Sequence, residues 1–417
     1  MGLGLSENWA TLWEAFADAQ PDHTAVVIGT HKQTWRDLDD RAARLATALE
    51  ERGIGVGTRI AQLMYNCPEY LESAYAAFKL RATPVNVNYR YKAPEIAYIC
   101  SNAEAEVIVF HGSLGERVTE ARALMPTVTT LIQVEDGSPL VPGAEWYHDV
   151  VATASPAARI ERSGDDTLML YTGGTTGNPK GVVWRHVDLF GALGYTSYVT
   201  AGIDVPTTPA EVGAVAAQLQ AEGKSPVMLC APPLMHGTAL FLAIGAFVMG
   251  GTVVLLGGRS FDADELWDLV EENDVTQLSL VGDAFARPLN AALDASEAAG
   301  VSRKLETVGR IVSTGATLSA DQKRAFQRRL PNAVIIDMIG ASEGGPYALS
   351  MTMPGTEPPE TAVFTAPPNV VTIDPATGGV LPRGSETPGM LGAAGPMPRG
   401  YWRDDSKTAE TVRTIDG

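Results

Sequence analysis

The stretch Leu168–Gly181, Leu-Met-Leu-Tyr-Thr-Gly-Gly-Thr-Thr-Gly-Asn-Pro-Lys-Gly, changes character halfway along. An apolar run suited to a buried strand, Leu168–Tyr171, gives way to hydroxyls, glycines and one lysine. Glycine lets the backbone turn through positive φ and approach a ligand closely. Successive N–H groups in such a turn form a concavity for anions. Thr172, Thr175 and Thr176 add hydroxyl donors among Gly173, Gly174 and Gly177, and Lys180 adds a point charge at the mouth. The chemistry these residue types suit is the cradling of phosphate.

Two common phosphate loops are excluded. A Walker A loop needs Lys directly after its second conserved Gly and a hydroxyl after the Lys. Here Asn178 and Pro179 separate Gly177 from Lys180, and Gly181 stands in the hydroxyl position. A dinucleotide fingerprint is also excluded, since no G-x-G-x-x-G opens a helix. What Thr172–Gly181 does resemble, at every defined position, is the signature loop of the adenylate-forming superfamily, (S/T)-(S/G)-G-(S/T)-(S/T)-G-x-P-K-G. That superfamily includes acyl-CoA synthetases, peptide-synthetase adenylation domains and firefly luciferase.

Further segments carry the same resemblance in the same order. Asp337-Met-Ile-Gly-Ala-Ser-Glu343 is similar to the second signature, x-x-(Y/F)-G-x-(S/T)-E. The resemblance implies that Ser342 bonds the α-phosphate and that Glu343 helps hold Mg²⁺, a hard cation that takes carboxylate and phosphate oxygens. It places Asp337 as acceptor for the adenine amino group, with Met338, Ile339 and Gly340 against the nucleotide. Ile339 departs from the pattern, where an aromatic ring usually stacks on adenine. Ser313-Thr-Gly-Ala-Thr-Leu318 matches the segment that lines the adenine and acyl pockets, with Gly315 and Ala316 at its centre. Pro233-Leu-Met-His-Gly237 matches a P-x-x-H segment, which would set His236 between the acyl carboxylate and the α-phosphate, with Gly237 and Thr238 beside it.

Gly340-Ala341-Ser342-Glu343-Gly344 also fits the nucleophile elbow G-x-S-x-G of α/β-hydrolases. That fold needs its histidine after the serine, and all six histidines precede Ser342. The hydrolase reading falls on order.

These segments must be positioned by a scaffold. From residue 25 short β-branched runs alternate with helical periodicity: Ala25–Ile28, Arg59–Met64, Pro84–Val87, Glu106–Phe110 and Leu131–Val134 read as strands. The alternation resumes with strands at Thr252–Leu256, Thr276–Val281, Arg310–Thr314 and Ala333–Ile339. Such βα alternation predicts parallel sheets with ligands beyond the strand C-termini. After Ile339 glycine and proline become dense, helical periodicity disappears, and Val370–Ile373 stands as a lone β run. The expected fold is α/β: two doubly wound α/β subdomains (1–165, and 166–340 carrying the phosphate loop) with a small β-rich subdomain (341–417). No terminal element is evident in the last residues. Gly389–Glu410 resembles the stretch just before the family's ribose-binding aspartate, hinge and mobile C-terminal domain. The sequence therefore reads as the large N-terminal part of a family member, its C-terminal small domain absent, and is expected to turn over poorly by itself.

At 417 residues the chain exceeds one ordinary core. A net charge of −18 argues against nucleic acid or an anionic membrane as partner, and means that local donors must hold an anionic nucleotide against the overall field. Three scattered cysteines, Cys67, Cys100 and Cys230, form neither a metal spacing nor a disulfide set and point to a reducing cytoplasm. Val227–Leu256 is apolar and long enough to span a bilayer, but Pro232, Pro233, His236 and Gly250-Gly251 divide it, so no transmembrane span is expected.

The resemblance implies ATP-dependent activation of a carboxylic acid to acyl-AMP, then transfer to coenzyme A. Small residues at the expected acyl pocket, including Gly237, Thr238, Gly282, Gly315, Ala316 and Ala341, favour a bulky apolar acid. An amino-acid substrate would need a carboxylate for its ammonium, and Asp283 is the one nearby candidate. Val281–Pro288 and Val183–His186 are similar to actinobacterial fatty-acyl-CoA synthetases, including those acting on steroid side-chain acids. Delivery to a carrier protein and nucleotide binding without turnover remain open, as does the oligomeric state, a homodimer included.

Overall fold

A computed structural model describes residues 5–173 and 177–415, the side chains of Tyr195 and Thr196 excepted. Its strands in chain order are β1 (Thr24–Ile28), β2 (His31–Thr34), β3 (Arg59–Leu63), β4 (Thr83–Asn86), β5 (Ala105–His111), β6 (Thr130–Val134) and β7 (Glu145–Trp146). They continue with β8 (Thr167–Thr172), β9 (Lys180–Arg185), β10 (Val227–Cys230), β11 (Thr252–Leu255), β12 (Gln277–Leu280) and β13 (Arg310–Thr314). The last are β14 (Val334–Ala341), β15 (Gly345–Thr352), β16 (Val370–Ile373), β17 (Val380–Leu381), β18 (Met390–Ala393) and β19 (Gly400–Tyr401).

Two eight-stranded sheets result, ordered β19-β9-β8-β4-β3-β5-β6-β7 and β15-β14-β13-β12-β10-β11-β1-β2. Their interiors are parallel, as expected of βα units whose helices cover both faces, and antiparallel pairing is confined to the β19-β9-β8 edge of the first sheet and to both edges of the second. A third, antiparallel sheet is ordered β17-β16-β18, so the Val370 run is not alone but the centre of three strands.

The sheets do not follow the expected divisions at 165/166 and 340/341. β8, with the phosphate loop after it, joins the first sheet through Val85–Met169 pairing, and β1 joins the second beside β11. β14 runs through Ala341 and turns back as β15 in the same sheet. β-branched patterning marks a strand but not its neighbour, because pairing across more than two hundred residues leaves no local trace.

Several helices had no clear sequence signal. Trp9–Ala19 buries Trp9, Trp13 and Phe16, its first turn capped by Asn8, whose side chain accepts from the Ala10 N–H. Pro209–Ala221 packs against it. The chain also carries a terminal helix, Asp405–Thr411, against the expectation of none there; Asp404 caps it by accepting from the Lys407 N–H. The long apolar run resolves into β10, the helix Gly237–Phe247 and β11. That helix is 11 residues long, about half of what a bilayer requires. Among the described residues no helix is long and apolar enough to cross a membrane. All three cysteines are buried and free.

Candidate active site

β8 and β9 form a hairpin, with Tyr171 opposite Gly181 and Thr172 opposite Lys180. The phosphate-loop segment is therefore the connection between these two strands of the first sheet. Gly174, Thr175 and Thr176 lie outside the described residues. Gly177 has φ +93°, a conformation that costs glycine nothing. Gly181 is required for another reason: a Cβ there would sit 2.9 Å from the Met169 sulfur and the Tyr171 ring.

Thr172 and Gly173 open onto a cavity of about 1360 Å³ between the two sheets. His236, Gly237, Thr238, Gly315, Met338, Gly340, Ala341 and Ser342 line it as well, so residues from four separate sequence segments converge. The convergence has identifiable causes. Asn86, buried in β4, accepts from the Tyr171 N–H at 2.6 Å and donates to the Met235 carbonyl at 2.7 Å, fixing the phosphate-loop strand to the residue before His236. Trp184 of β9 donates to the Ser342 carbonyl at 2.8 Å. A Cβ on Gly237 would lie 2.9 Å from Leu170 and 3.2 Å from Ser342 Oγ, so only glycine lets the helix start this close to the serine. The N-terminus of the Gly237–Phe247 helix therefore lies beside the Ser342 hydroxyl, and a helix N-terminus suits an anion.

His236 caps this helix, and burial, assisted by the Arg90 charge, pulls its pKa below the usual histidine value. It is neutral at pH 7 and can donate or accept. Gly315 follows β13 with φ +84°, the one conformation there that favours glycine strongly.

The charged candidates are already partnered. Lys180 forms an ion pair with Asp404 and stands 5.7 Å from the centre of the Tyr401 ring. Tyr401 donates to Glu343 Oε1 at 2.9 Å, and burial together with that bond pushes the phenol up to about 12. Two residues of β19 pair this segment to Val182 and Val183 of β9. Among the described residues no group of three or more His, Cys, Asp or Glu could hold a metal.

The expected role of Asp337 as an adenine acceptor does not match its position. Side chains alternate along a strand; Ile336 and Met338 reach the cavity, and Asp337 points to the other face, into an ion pair with the buried Lys323. Burial raises its pKa against the pull of that lysine. Ile339 is 38% exposed and, like Ala316, Gly177, Lys180 and Glu343, lies outside the cavity lining. Asp283, the candidate ammonium partner, accepts from the Ser319 N–H at 2.8 Å and pairs with Arg287, and is not part of the lining either. After Ser342 the chain enters β15, not the helix that a nucleophile elbow requires.

Asn86, Trp184, Tyr401 and Asp404 were not singled out from sequence. Asn86 alone carried a signal, since asparagine is depleted in strands and an Asn inside one asks for a buried partner.

A phosphate-suited hairpin on one sheet, a serine facing a helix N-terminus on the other and a large shared cavity define an acyl-activating, nucleotide-using class of enzyme. The match to known proteins agrees. Residues 13–402 match the AMP-binding enzyme family, and the chain belongs to that family. It is 33% identical to the medium-chain acyl-CoA ligase Mig of Mycobacterium avium, over 97% of this chain and 74% of that protein. It is 34% identical to a medium/long-chain-fatty-acid–CoA/3-oxocholest-4-en-26-oate–CoA ligase of Mycolicibacterium smegmatis, over 99% of this chain and 74% of that protein. Among solved structures, an anthranilate CoA ligase in complex with anthranoyl-AMP superposes with a TM-score of 0.80 at 20% identity, covering 98% of this chain and 74% of that one, a likeness of fold.

Proposed function

We propose that the chain activates an apolar carboxylic acid, a fatty acid or steroid side-chain acid, and passes it to coenzyme A. The observation that supports this most is the shared cavity, with Thr172, Gly173, His236 and Ser342 at one end and an apolar stretch of wall that includes Phe241, Leu242, Val312, Ile336 and Met338. The substrate carboxylate attacks the α-phosphorus of ATP, the bond to the bridging oxygen breaks, and acyl-AMP and pyrophosphate form. The thiolate of coenzyme A then attacks the acyl carbonyl and AMP leaves. No protein nucleophile is required, so the work of the chain is positioning and charge stabilisation.

In this reading the Ser342 hydroxyl and the N–H groups at Gly237 hold the α-phosphate oxygens, and neutral His236 bonds the incoming carboxylate. The hairpin tip with Lys180 holds the β- and γ-phosphates once Lys180 exchanges Asp404 for them. Glu343 would hold Mg²⁺ together with phosphate oxygens. A single carboxylate beside the cavity suits this ion, which keeps most of its shell from water and phosphate, and the ion supplies charge neutralisation. The reducing cytoplasm is the proposed location, and three buried free thiols are compatible with it.

The test is acid-dependent exchange of labelled pyrophosphate into ATP, run beside thermal stabilisation by acyl-sulfamate mimics of acyl-AMP. A ligand at one hundred times its Kd adds about 2.7 kcal/mol, a readable shift. Stabilisation that grows with acyl size supports the reading; no stabilisation by any mimic and none by ATP·Mg²⁺ would overturn it.

A further inference from the structure

The cavity continues far beyond the phosphate end. One stripe of the Gly237–Phe247 helix, running from Thr238 through Phe241 and Leu242 to Gly245 and Ala246, forms one wall for about 12 Å at 1.5 Å per residue. Facing it is one face of the second sheet, where Val312, Ile336 and Met351 form one cross-strand row and Thr314, Met338 and Leu349 the next. The channel therefore follows the strands from their C-terminal ends, beside Ser342, back to their N-terminal ends.

Gly245 sits inside that helix at a helical φ, where glycine is a poor helix former. A Cβ there would meet only the Ser197 hydroxyl, at 3.9 Å. Neither backbone conformation nor close packing asks for glycine, and its effect is to widen the channel halfway along.

The far end is different in kind. Gln277 and Arg310 are the first residues of β12 and β13 and are direct cross-strand partners. Both line the cavity and both are half-buried. Among the described residues neither side chain has a hydrogen-bond or ion-pair partner. An apolar channel thus ends at an amide and a guanidinium whose donors are unspent, and a guanidinium can only donate.

We propose that Arg310 and Gln277 are specificity-determining residues that read an oxygen acceptor, a ketone or hydroxyl, at the end of the acid remote from its carboxylate. The preferred substrate is accordingly long, broad and apolar in its middle, with oxygen at both ends. A 3-oxo steroid bearing its carboxylate on the side chain has this layout, and 3-oxocholest-4-en-26-oate appears in the name of the Mycolicibacterium relative. A plain alkyl chain fills the same channel and leaves both donors to water.

The inference rests on the acyl-activating reading of the site, and the experiment separates the two. Calorimetry on the 417-residue chain compares three acyl-sulfamate mimics of acyl-AMP: the 3-oxo steroid acid, the same acid lacking the ring ketone, and a butanoyl mimic. A hydrogen bond from a charged donor at a partly wet site should favour the ketone by about tenfold. Arg310→Met should abolish that preference and leave the deoxy mimic within about twofold of wild type. Gln277→Leu should reduce the preference, and provides a second reading if Arg310→Met folds poorly. Gly245→Val should weaken both steroid mimics by at least about tenfold and spare the butanoyl mimic, because it narrows only the middle of the channel. Equal binding of ketone and deoxy mimics by wild type, or a ketone preference that survives both Arg310→Met and Gln277→Leu, would overturn the proposal while the acyl-activating reading stands. Failure of all three mimics to bind would overturn both.

Discussion

Beside the phosphate end of the cavity Lys180 and Glu343 each hold a partner from residues 401–404, whereas at the channel end the Gln277 and Arg310 side chains hold none among the described residues. The first end keeps its charges in bonds that must be exchanged when ligand arrives. The second presents fixed shape and unspent donors. On the proposed reading, chemistry that moves charge is placed where partners can change, and selection among acids where the walls are helix and sheet.

The largest effect expected of this contrast is at the first end. If the proposed roles hold, Lys180→Ala or Glu343→Ala should reduce acid-dependent pyrophosphate exchange by at least about 100-fold, the first by removing a cation from the phosphates and the second by removing the proposed Mg²⁺ ligand. Both variants should still bind an acyl-sulfamate mimic, which lacks β- and γ-phosphates; loss of mimic binding would mean that the two residues are structural.

A substitution at the junction of the two ends comes next. Gly237→Val puts carbon into the 2.9 Å and 3.2 Å gaps to Leu170 and Ser342 Oγ, and should lower exchange by about 100-fold by displacing the serine. Unlike the first pair, it should also weaken every acyl-sulfamate mimic, whatever its acyl length.

Asp404→Asn should act in the opposite direction. Freed from this solvent-screened ion pair, Lys180 should bind ATP·Mg²⁺ more tightly by calorimetry, by no more than about fivefold. Weaker binding would make Asp404 a positioning residue for the lysine and not its competitor.

The scaffold's effects fall on stability and leave the contrast between the two ends untouched. Burial holds the His186 pKa down to about 3 and that of His111 to about 4, each Nδ1 accepting a backbone N–H. The unfolded chain takes up protons below about pH 6.5 that the folded chain refuses, so each histidine's contribution is fully present above pH 6.5 and is lost as pH falls toward its folded pKa. Stability should decline by about 1 kcal/mol per pH unit per histidine in that window, and His111→Gln should flatten the denaturation midpoint's pH dependence between pH 6.5 and 4.

What could be read from the sequence was what is encoded over a few neighbouring residues. The loop after Tyr171, the Ser342-Glu343 pair and the histidine before Gly237 each declare themselves by type and spacing, and the structure gathers the described Thr172, Gly173, His236 and Ser342 on one cavity. The α/β alternation was legible for the same reason. What was not legible depends on chain folded back from afar: the transfer of β8 to the first sheet, the reach of Asn86 to Met235, and the capture of Lys180 by a residue 224 positions later. The orientation of Asp337 was lost for a subtler reason. A motif gives its position in sequence, but strand pleat decides which face it serves, and Met338 took the cavity.

The two-residue strand β19 gives the phosphate end a collective property. Its pairing with Val182 and Val183 carries Tyr401 and leads to Asp404, so the holds on Glu343 and on Lys180 share one short ladder, its far side tied to Asn102 and Glu104 by Trp402 and Arg403. Peeling that ladder releases both groups in one event, which makes release cooperative: Tyr401→Phe and Asp404→Asn combined should fall short of the sum of their separate effects on ATP affinity. By the reciprocity of linked equilibria, if ATP recruits the lysine as proposed it loosens the strand, and amide exchange at Gly400 and Tyr401 should quicken as the nucleotide binds.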